Sequence, residues 1–350
     1  MKIGIVTVQD SNNFGSFLQA YALQDVLQTM GHEVWFIRSR SQTYIKRLFY
    51  ASRPGKRDLL RLPAFLHANL EGRKKYRRFR ETQKCFRVME HYGDVPLDLV
   101  VLGSDEIWNV RTAVFRRGIF YGEGMAPVMA YAVSIGDATA QEMCCIPEQA
   151  FHRISPVLAR DEHTAEFLEK LGIQAPVVCD PTLLVDPAIF RREYTSPLMG
   201  SQPYLLVYSY GFEPVLADAI RKFARRRGLR VLSACFPFDW CDGTFECTAL
   251  DFCAVMERAA FVVTSTFHGT IFSILNHKQF VSLPRSRKTG DLLTAMGLEE
   301  RLLESVSLSD RELEDKIERP ISYQAVDAKI AKNREYSLNC LRKGIEQYEQ

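Results

Sequence analysis

The chain has 350 residues, of which 47% are apolar, and its formal net charge is +3. This length and apolar content suffice for two folded domains with buried cores, and they argue against disorder. So small a net charge gives no indication of nucleic-acid binding. The charge is uneven, however, because residues 46–87 hold fourteen Lys or Arg and three acidic residues. That segment carries +11, which leaves −8 for the rest of the chain.

No segment approaches the roughly 18 apolar residues of a membrane span, and no signal-peptide pattern is visible. The nine cysteines include no Cys-x-x-Cys pair and no Cys–His cluster of zinc spacing. Free thiols are typical of a reducing compartment. We therefore expect a soluble cytoplasmic protein without a metal site.

The first elements predict a doubly wound α/β sheet. Residues 2–8 read as a buried strand, 16–30 as an amphipathic helix and 33–38 as a second strand. A basic insertion of about residues 41–90 then predicts helices and turns. Short apolar runs indicate that the parallel sheet resumes at 97–102, 129–135, 157–160 and 177–179, with helices at 147–153 and 164–171.

Residues 180–187 are bracketed by two prolines and predict a crossing into a second α/β domain. We place the domains at residues 1–180 and 181–322, followed by a C-terminal helix in 323–350. The sequence thus predicts two Rossmann-like doubly wound domains that face a cleft. In the second domain we expect strands at 204–208, 230–234, 261–264 and 280–283, and helices at 214–226 and 249–258.

The turn of residues 264–270, Thr-Ser-Thr-Phe-His-Gly-Thr, joins a predicted strand to a predicted helix. Ligands of open α/β sheets bind at such turns, and the first amides of a helix favour an anion. His268 in this position can bind or protonate an anion. The alternative is that this histidine only satisfies the backbone around it.

Three further segments follow predicted strands. The loop 10–16, with Asn12 and Asn13, can donate to an anion or simply cap a helix. The loop 103–109 combines Asp105, Glu106, Trp108 and Asn109, a set suited to gripping sugar hydroxyls, and either acid can serve as a base. Its alternative is a capped helix start with a core tryptophan.

Basic residues after two other strands suggest anion clamps. Arg160 precedes Asp161 and Glu162, and it either binds a carboxylate or phosphate or forms a surface ion pair. Arg285, Arg287 and Lys288 form a second clamp or a solvated loop. The basic stretch 46–87 either contacts an anionic membrane surface or forms solvated helices.

Taken together, the motifs resemble the polysaccharide pyruvyl transferase family. They are found in 4–7, 12–16, 18–24, 101–109, 131–136, 160–162, 180–184 and 264–270. The resemblance spans roughly residues 2–304 in the family's order. The position two residues before His268, an arginine in some members, is Thr266 here.

The resemblance implies a GT-B-like fold and transfer of the pyruvyl unit of phosphoenolpyruvate to sugar hydroxyls, with ketal formation and phosphate release. We expect His268, Asp105 and Glu106 to be catalytic and Asn12, Asn13, Trp108 and Asn109 to bind the acceptor. No cofactor or metal is implied. The donor would be bound by Arg160, Thr266, Gly269, Thr270, Arg285 and Arg287.

The expected partners are phosphoenolpyruvate and a glycan or lipid-linked sugar, with peripheral contact of residues 46–87 at the inner membrane surface and no nucleic acid. Two alternatives stay open. One is a GT-B glycosyltransferase that uses a nucleotide sugar, since the scaffold permits it. The other is a non-catalytic module that binds a glycan or an anion.

Overall fold

The computed structural model describes residues 1–51, 62–283, 285–304 and 310–349. The chain divides into two compact units: unit 1 is Met1–Pro181 with Cys340–Gln350, and unit 2 is Thr182–Asn339. No helix of the described ranges is both long and apolar enough to cross a bilayer. Each unit is built around one parallel sheet.

The sheet of unit 1 has six parallel strands in the order β3-β2-β1-β4-β5-β6, which is the classic Rossmann order. Its central strands are buried on both faces because helices cover a parallel sheet on each side. The strands are β1 (Lys2–Val6), β2 (Glu33–Ile37), β3 (Val88–Met89), β4 (Leu99–Leu102), β5 (Val128–Val133) and β6 (Val157–Ala159).

The helices of unit 1 begin at recognisable caps. Asn13 caps the first helix by accepting from the Gly15 amide at 2.9 Å, and Asp161 caps the sixth by accepting from the Thr164 amide at 2.9 Å. The helices are α1 (Phe14–Thr29), α2 (Gln42–Arg47), α3 (Leu62–Thr82), α4 (Ala140–Met143), α5 (Gln149–His152) and α6 (Glu162–Glu169).

The sheet of unit 2 has five parallel strands in the order β11-β10-β7-β8-β9, again with the first strand of the unit next to the fourth. The strands are β7 (Tyr204–Tyr208), β8 (Arg230–Ala234), β9 (Gly243–Phe245), β10 (Phe261–Thr264) and β11 (Gln279–Ser282). The helices are α7 (Pro214–Arg226), α8 (Ala249–Arg258), α9 (Phe267–Leu275), α10 (Arg287–Met296), α11 (Asp310–Glu318) and α12 (Tyr323–Glu346).

The structure differs from the sequence-based expectation in a few elements. The predicted strand 177–179 forms only an isolated bridge between Ala159 and Val177. Strands β3 and β9 were not predicted, because two or three residues are too few to show a period of two. Of the basic insertion, residues 52–61 lie outside the described part.

The C-terminal residues complete unit 1. Leu341 and Ile345 are buried, and a Cβ added to Gly344 would lie 2.9 Å from the Met129 side chain and 3.0 Å from Pro156. Helix α12 is therefore shared between the two units, with its last turns in unit 1.

Candidate functional site

The turn between β10 and α9 is organised by its own hydroxyl groups. Thr266 is the N-cap of α9, and its Oγ1 accepts a hydrogen bond from the Gly269 amide at 2.9 Å. Thr264 Oγ1 donates to the Tyr208 carbonyl at 2.7 Å and accepts from the Thr266 amide at 3.1 Å. The turn is thereby tied to the carboxyl end of β7.

Two predicted donor-binding residues have clear structural tasks in this turn. A Cβ on Gly269 would lie 2.1 Å from Thr264 Oγ1, so the close approach of the helix to the strand requires glycine here. Thr270 is fully buried, and its hydroxyl contacts the Thr266 carbonyl at 3.1 Å and Ser282 Oγ at 2.7 Å. Thr266, Gly269 and Thr270 thus shape the backbone around His268.

His268 occupies the first turn of α9, at the carboxyl edge of the sheet, as the sequence predicted. Its side chain is buried, and its ring stands edge-to-face to that of Phe267, with 5.3 Å between the centroids. The ammonium of Lys288 lies 5.1 Å from the centroid of the same Phe267 ring, a cation–π contact. A positive charge on α10 is therefore held beside the histidine turn.

The two predicted arginines after β11 are exposed and have local partners. Arg285 Nη2 donates to the Gly211 carbonyl at 2.9 Å. Arg287 is the first residue of α10 and lies 3.9 Å from Asp291 Oδ2. Arg285 is therefore tied to the loop after β7, whereas Arg287 is held by its own helix.

The loop after β7 carries an exposed aromatic residue that the sequence analysis missed. The Tyr210 side chain is 56% exposed, and its ring packs on Phe236 with 5.0 Å between the centroids. The Tyr210 amide donates to Ser265 Oγ at 3.3 Å, so the loop adjoins the histidine turn. The available signal was the position of Tyr210 and Phe236 directly after strands β7 and β8, where ligands of such sheets bind.

Phe236 is held by a tight turn. Its amide donates to the Ala234 carbonyl at 2.8 Å, and Cys235 between them has φ +69°. This arrangement corresponds to a γ-turn, whose positive-φ form is strained. Strain of this kind persists only where the surrounding structure enforces it.

Unit 1 contains a second polar group of residues, at the carboxyl ends of β4 and β6. Asp105 adopts φ +80°, which is unusual for a residue with a side chain. Its carboxylate accepts hydrogen bonds from the Glu106 amide at 2.9 Å and from Ser16 Oγ at 3.0 Å. The start of α1 and the loop after β4 are joined through this carboxylate.

Arg160 is the centre of the unit 1 group. Its side chain is only 2% exposed and lies 3.3 Å from Asp105, 3.6 Å from Asp180 and 3.9 Å from Glu106. Burial by itself lowers the pKa of the Arg160 guanidinium, but these carboxylates raise it, and the net shift is upward. The guanidinium therefore stays charged and holds three carboxylates in place.

Glu106 is the most exposed carboxylate of the group, with a side-chain exposure of 24%. Its Oε2 accepts a hydrogen bond from Asn109 Nδ2 at 2.8 Å. Gly136, in the loop after β5, has φ +60°, and a Cβ there would lie 2.6 Å from the same oxygen, so this position favours glycine. Glu106 is thus oriented by Asn109 and Arg160 and partly open to solvent, as a base that meets a substrate must be.

The proposed acceptor role of Trp108 is corrected by the structure. Trp108 is fully buried, its Nε1 donates to the Phe120 carbonyl at 2.8 Å, and its ring stacks on Tyr121 at 6.0 Å. Trp108 is therefore a core residue, which packs with apolar side chains of unit 1. Asn13 is the cap of α1, and Asn12 Nδ2 donates to the Leu48 carbonyl at 3.4 Å.

A sequence profile described as polysaccharide pyruvyl transferase matches residues 13–287. The chain belongs to the polysaccharide pyruvyl transferase family. The match contains both polar groups described above, the one around Arg160 and the turn of His268. No match was found among curated proteins.

Solved structures of UDP-N-acetylglucosamine 2-epimerases have a fold similar to that of this chain. A putative UDP-N-acetylglucosamine 2-epimerase from Listeria monocytogenes superimposes with a TM-score of 0.60 at 10% identity, over 99% of this chain and 96% of that one. The UDP-GlcNAc 2-epimerase from Neisseria meningitidis, bound to UDP-GlcNAc, gives 0.60 at 10% identity, over 99% and 100%. These similarities concern the fold alone. They identify this pyruvyl transferase family member as GT-B-like, with two Rossmann-like domains.

Proposed function

We propose that this protein transfers the pyruvyl unit of phosphoenolpyruvate to two hydroxyls of one sugar in a cell-surface or exopolysaccharide. The observation that carries the proposal is the His268 turn, matched by the family profile and bordered by the Lys288 ammonium. Phosphoenolpyruvate carries a carboxylate and a phosphate, and an anion so highly charged needs several cationic and amide partners. Lys288 and Arg285 are the basic candidates in unit 2.

The reaction balances without a cofactor. Protonation of the methylene carbon of phosphoenolpyruvate turns it into a methyl group and leaves a cationic neighbouring carbon. One sugar hydroxyl adds to that carbon and loses its proton. The second hydroxyl then attacks the same carbon and loses its proton, phosphate leaves with its bonding electrons, and the cyclic ketal forms. The products are one ketal and one phosphate.

His268 is the proposed acid or phosphate ligand, and a positioned acid contributes about 10²–10⁴-fold. Glu106 is the proposed base for a sugar hydroxyl, because it is the partly exposed member of the Arg160 group. Tyr210 adds a candidate surface for the acceptor, since exposed aromatic rings pack against the apolar faces of sugars. Arg160 is a further candidate for binding the donor anion.

The test is to incubate the protein with phosphoenolpyruvate and a set of polysaccharides and lipid-linked sugars, and to measure phosphate release and the ketal methyl signal by NMR. We expect both products to appear together with a suitable acceptor. The variant His268→Asn should lose at least about 100-fold in turnover, as the loss of a general acid does.

The control is His277→Asn, which changes an exposed histidine that pairs with Asp327 at 3.0 Å and should keep full turnover. Thermal stabilisation by UDP but not by phosphoenolpyruvate, without phosphate release, would favour the nucleotide-sugar alternative. Binding of phosphoenolpyruvate without turnover by any acceptor would favour the non-catalytic module.

A further inference from the structure

Helix α3 has a face of unusual composition. Leu62, Leu66 and Leu70 recur every four residues and are 41%, 57% and 54% exposed. A spacing of four places them on one side of a helix. Large aliphatic residues aligned in this way and open to solvent are typical of an interaction surface.

The same face continues as a basic one. Arg73 and Arg77 lie seven residues after Leu66 and Leu70, which is two helical turns, and both are exposed. Arg80 follows Arg73 by seven residues and is exposed as well. The face thus has leucines in its first half and arginines in its second half, which we call the Leu–Arg face.

Helix α3 is anchored to the protein through several of its residues. Asn69 makes two hydrogen bonds of 2.9 Å with the backbone of Ala51. Phe79 packs against Phe49 with 4.8 Å between ring centroids, and Arg73 Cζ lies 5.4 Å from the Tyr50 ring. These contacts anchor α3, while the leucines of the face and Arg77 and Arg80 are exposed.

The basic residues of a second helix, α7, form ion pairs with acidic residues of a neighbouring helix. On α7, Lys222 lies 3.2 Å from Asp310, and Arg226 lies 2.9 Å from Glu314. Acidic residues of α11 therefore balance the basic residues of α7. By its own composition, helix α3 has six Lys or Arg and two acidic residues, Glu71 and Glu81, which is a net charge of +4.

We propose that the Leu–Arg face binds the surface of an anionic lipid bilayer. Interfacial helices place apolar side chains at the boundary of the headgroups and keep Lys and Arg among the lipid phosphates. The basic second half of the face complements the negative surface potential of such a membrane. The inference is independent of the proposed chemistry, since it concerns where the protein resides.

The test is co-sedimentation of the full chain with vesicles of phosphatidylcholine alone or with about one quarter phosphatidylglycerol. We expect binding to the anionic vesicles only, and weaker binding as salt rises from about 0.1 M to about 1 M, where the Debye length falls from about 10 Å to about 3 Å. The variant Arg77→Gln/Arg80→Gln should bind at least about tenfold more weakly.

The apolar half is tested by Leu66→Ser/Leu70→Ser, which should also lower binding by about tenfold. Matched controls on α7 are Val215→Ser and Arg225→Gln, at an exposed apolar and an exposed basic residue, and both should bind as the unaltered protein does. Equal binding by all variants overturns the proposal. The proposal is also overturned if the protein binds no vesicles and replacement of the leucines converts a dimer to a monomer in analytical sedimentation.

Discussion

At the scale of single residues, Arg160 is the most informative position. Its guanidinium lies among Asp105, Asp180 and Glu106 in a nearly dry environment. Several carboxylates this close to one another repel unless a cation separates them. The arginine therefore sets the positions of the acidic residues, and any contact with a donor anion would come in addition to that task.

We expect Arg160→Met to destabilise unit 1 by about 3–5 kcal/mol, because removal of one partner leaves buried carboxylates uncompensated. Chemical denaturation monitored by hydrogen exchange in β4 and β6 measures the loss. Adding Asp180→Asn to this variant should restore part of the stability, since the substitution removes one of the uncompensated charges. A stable single variant whose KM for phosphoenolpyruvate alone rises would instead establish Arg160 as a donor ligand.

At the scale of elements, helix α9 depends on the cap that precedes it. Thr266 stands where some relatives keep an arginine, and the structure gives this threonine a task of its own. Its hydroxyl accepts from the Gly269 amide, which fixes the first turn of α9 and thereby the place of His268. Threonine directly before a helix start is a favoured N-cap residue.

Replacing the cap should weaken α9 measurably. Thr266→Ala is expected to cost about 1 kcal/mol, because the Gly269 amide loses its acceptor in a buried turn. Thr266→Ser keeps the hydroxyl and should lose less than half as much. Thermal unfolding of the two variants gives the comparison, and equal losses would show that the methyl group, rather than the cap, is what matters.

At the scale of the whole molecule, the last turns of α12 belong to the same unit as the sheet that begins at Lys2. Leu341 and Ile345 are buried in unit 1, far in sequence from the strands that they help to cover. Loss of a buried leucine costs about 2–5 kcal/mol. The stability of unit 1 is therefore linked to residues that follow unit 2 in the chain.

We expect Leu341→Ala to lower hydrogen-exchange protection in β5 more than in β7, because the cavity forms in unit 1. Local exchange is the right readout, since a chain with two units need not unfold in a single step. Lys343→Ala, at an exposed neighbour on the same helix, is the matched control. Equal loss of protection in both sheets would show that the two units unfold as one.

The sequence alone indicated the alternation of strands and helices, the position of His268 at a helix start and the crossing near residue 181. These features depend on local patterns, namely the period of apolar residues, caps and turn residues. The motifs that indicated the family lie mostly within the range that the family profile matches. Very short strands such as β3 left no such pattern.

Only the tertiary structure decided the partners of these residues. Asp105 and Arg160 are 55 residues apart in the chain, and parallel strands bring them to one edge of the sheet. The same packing buries Trp108 completely, although the loop that carries it also holds polar Glu106 and Asn109. Tyr210 gained its place beside the histidine turn through Ser265, 55 residues away. Contacts of this range follow from strand order, which no local pattern encodes.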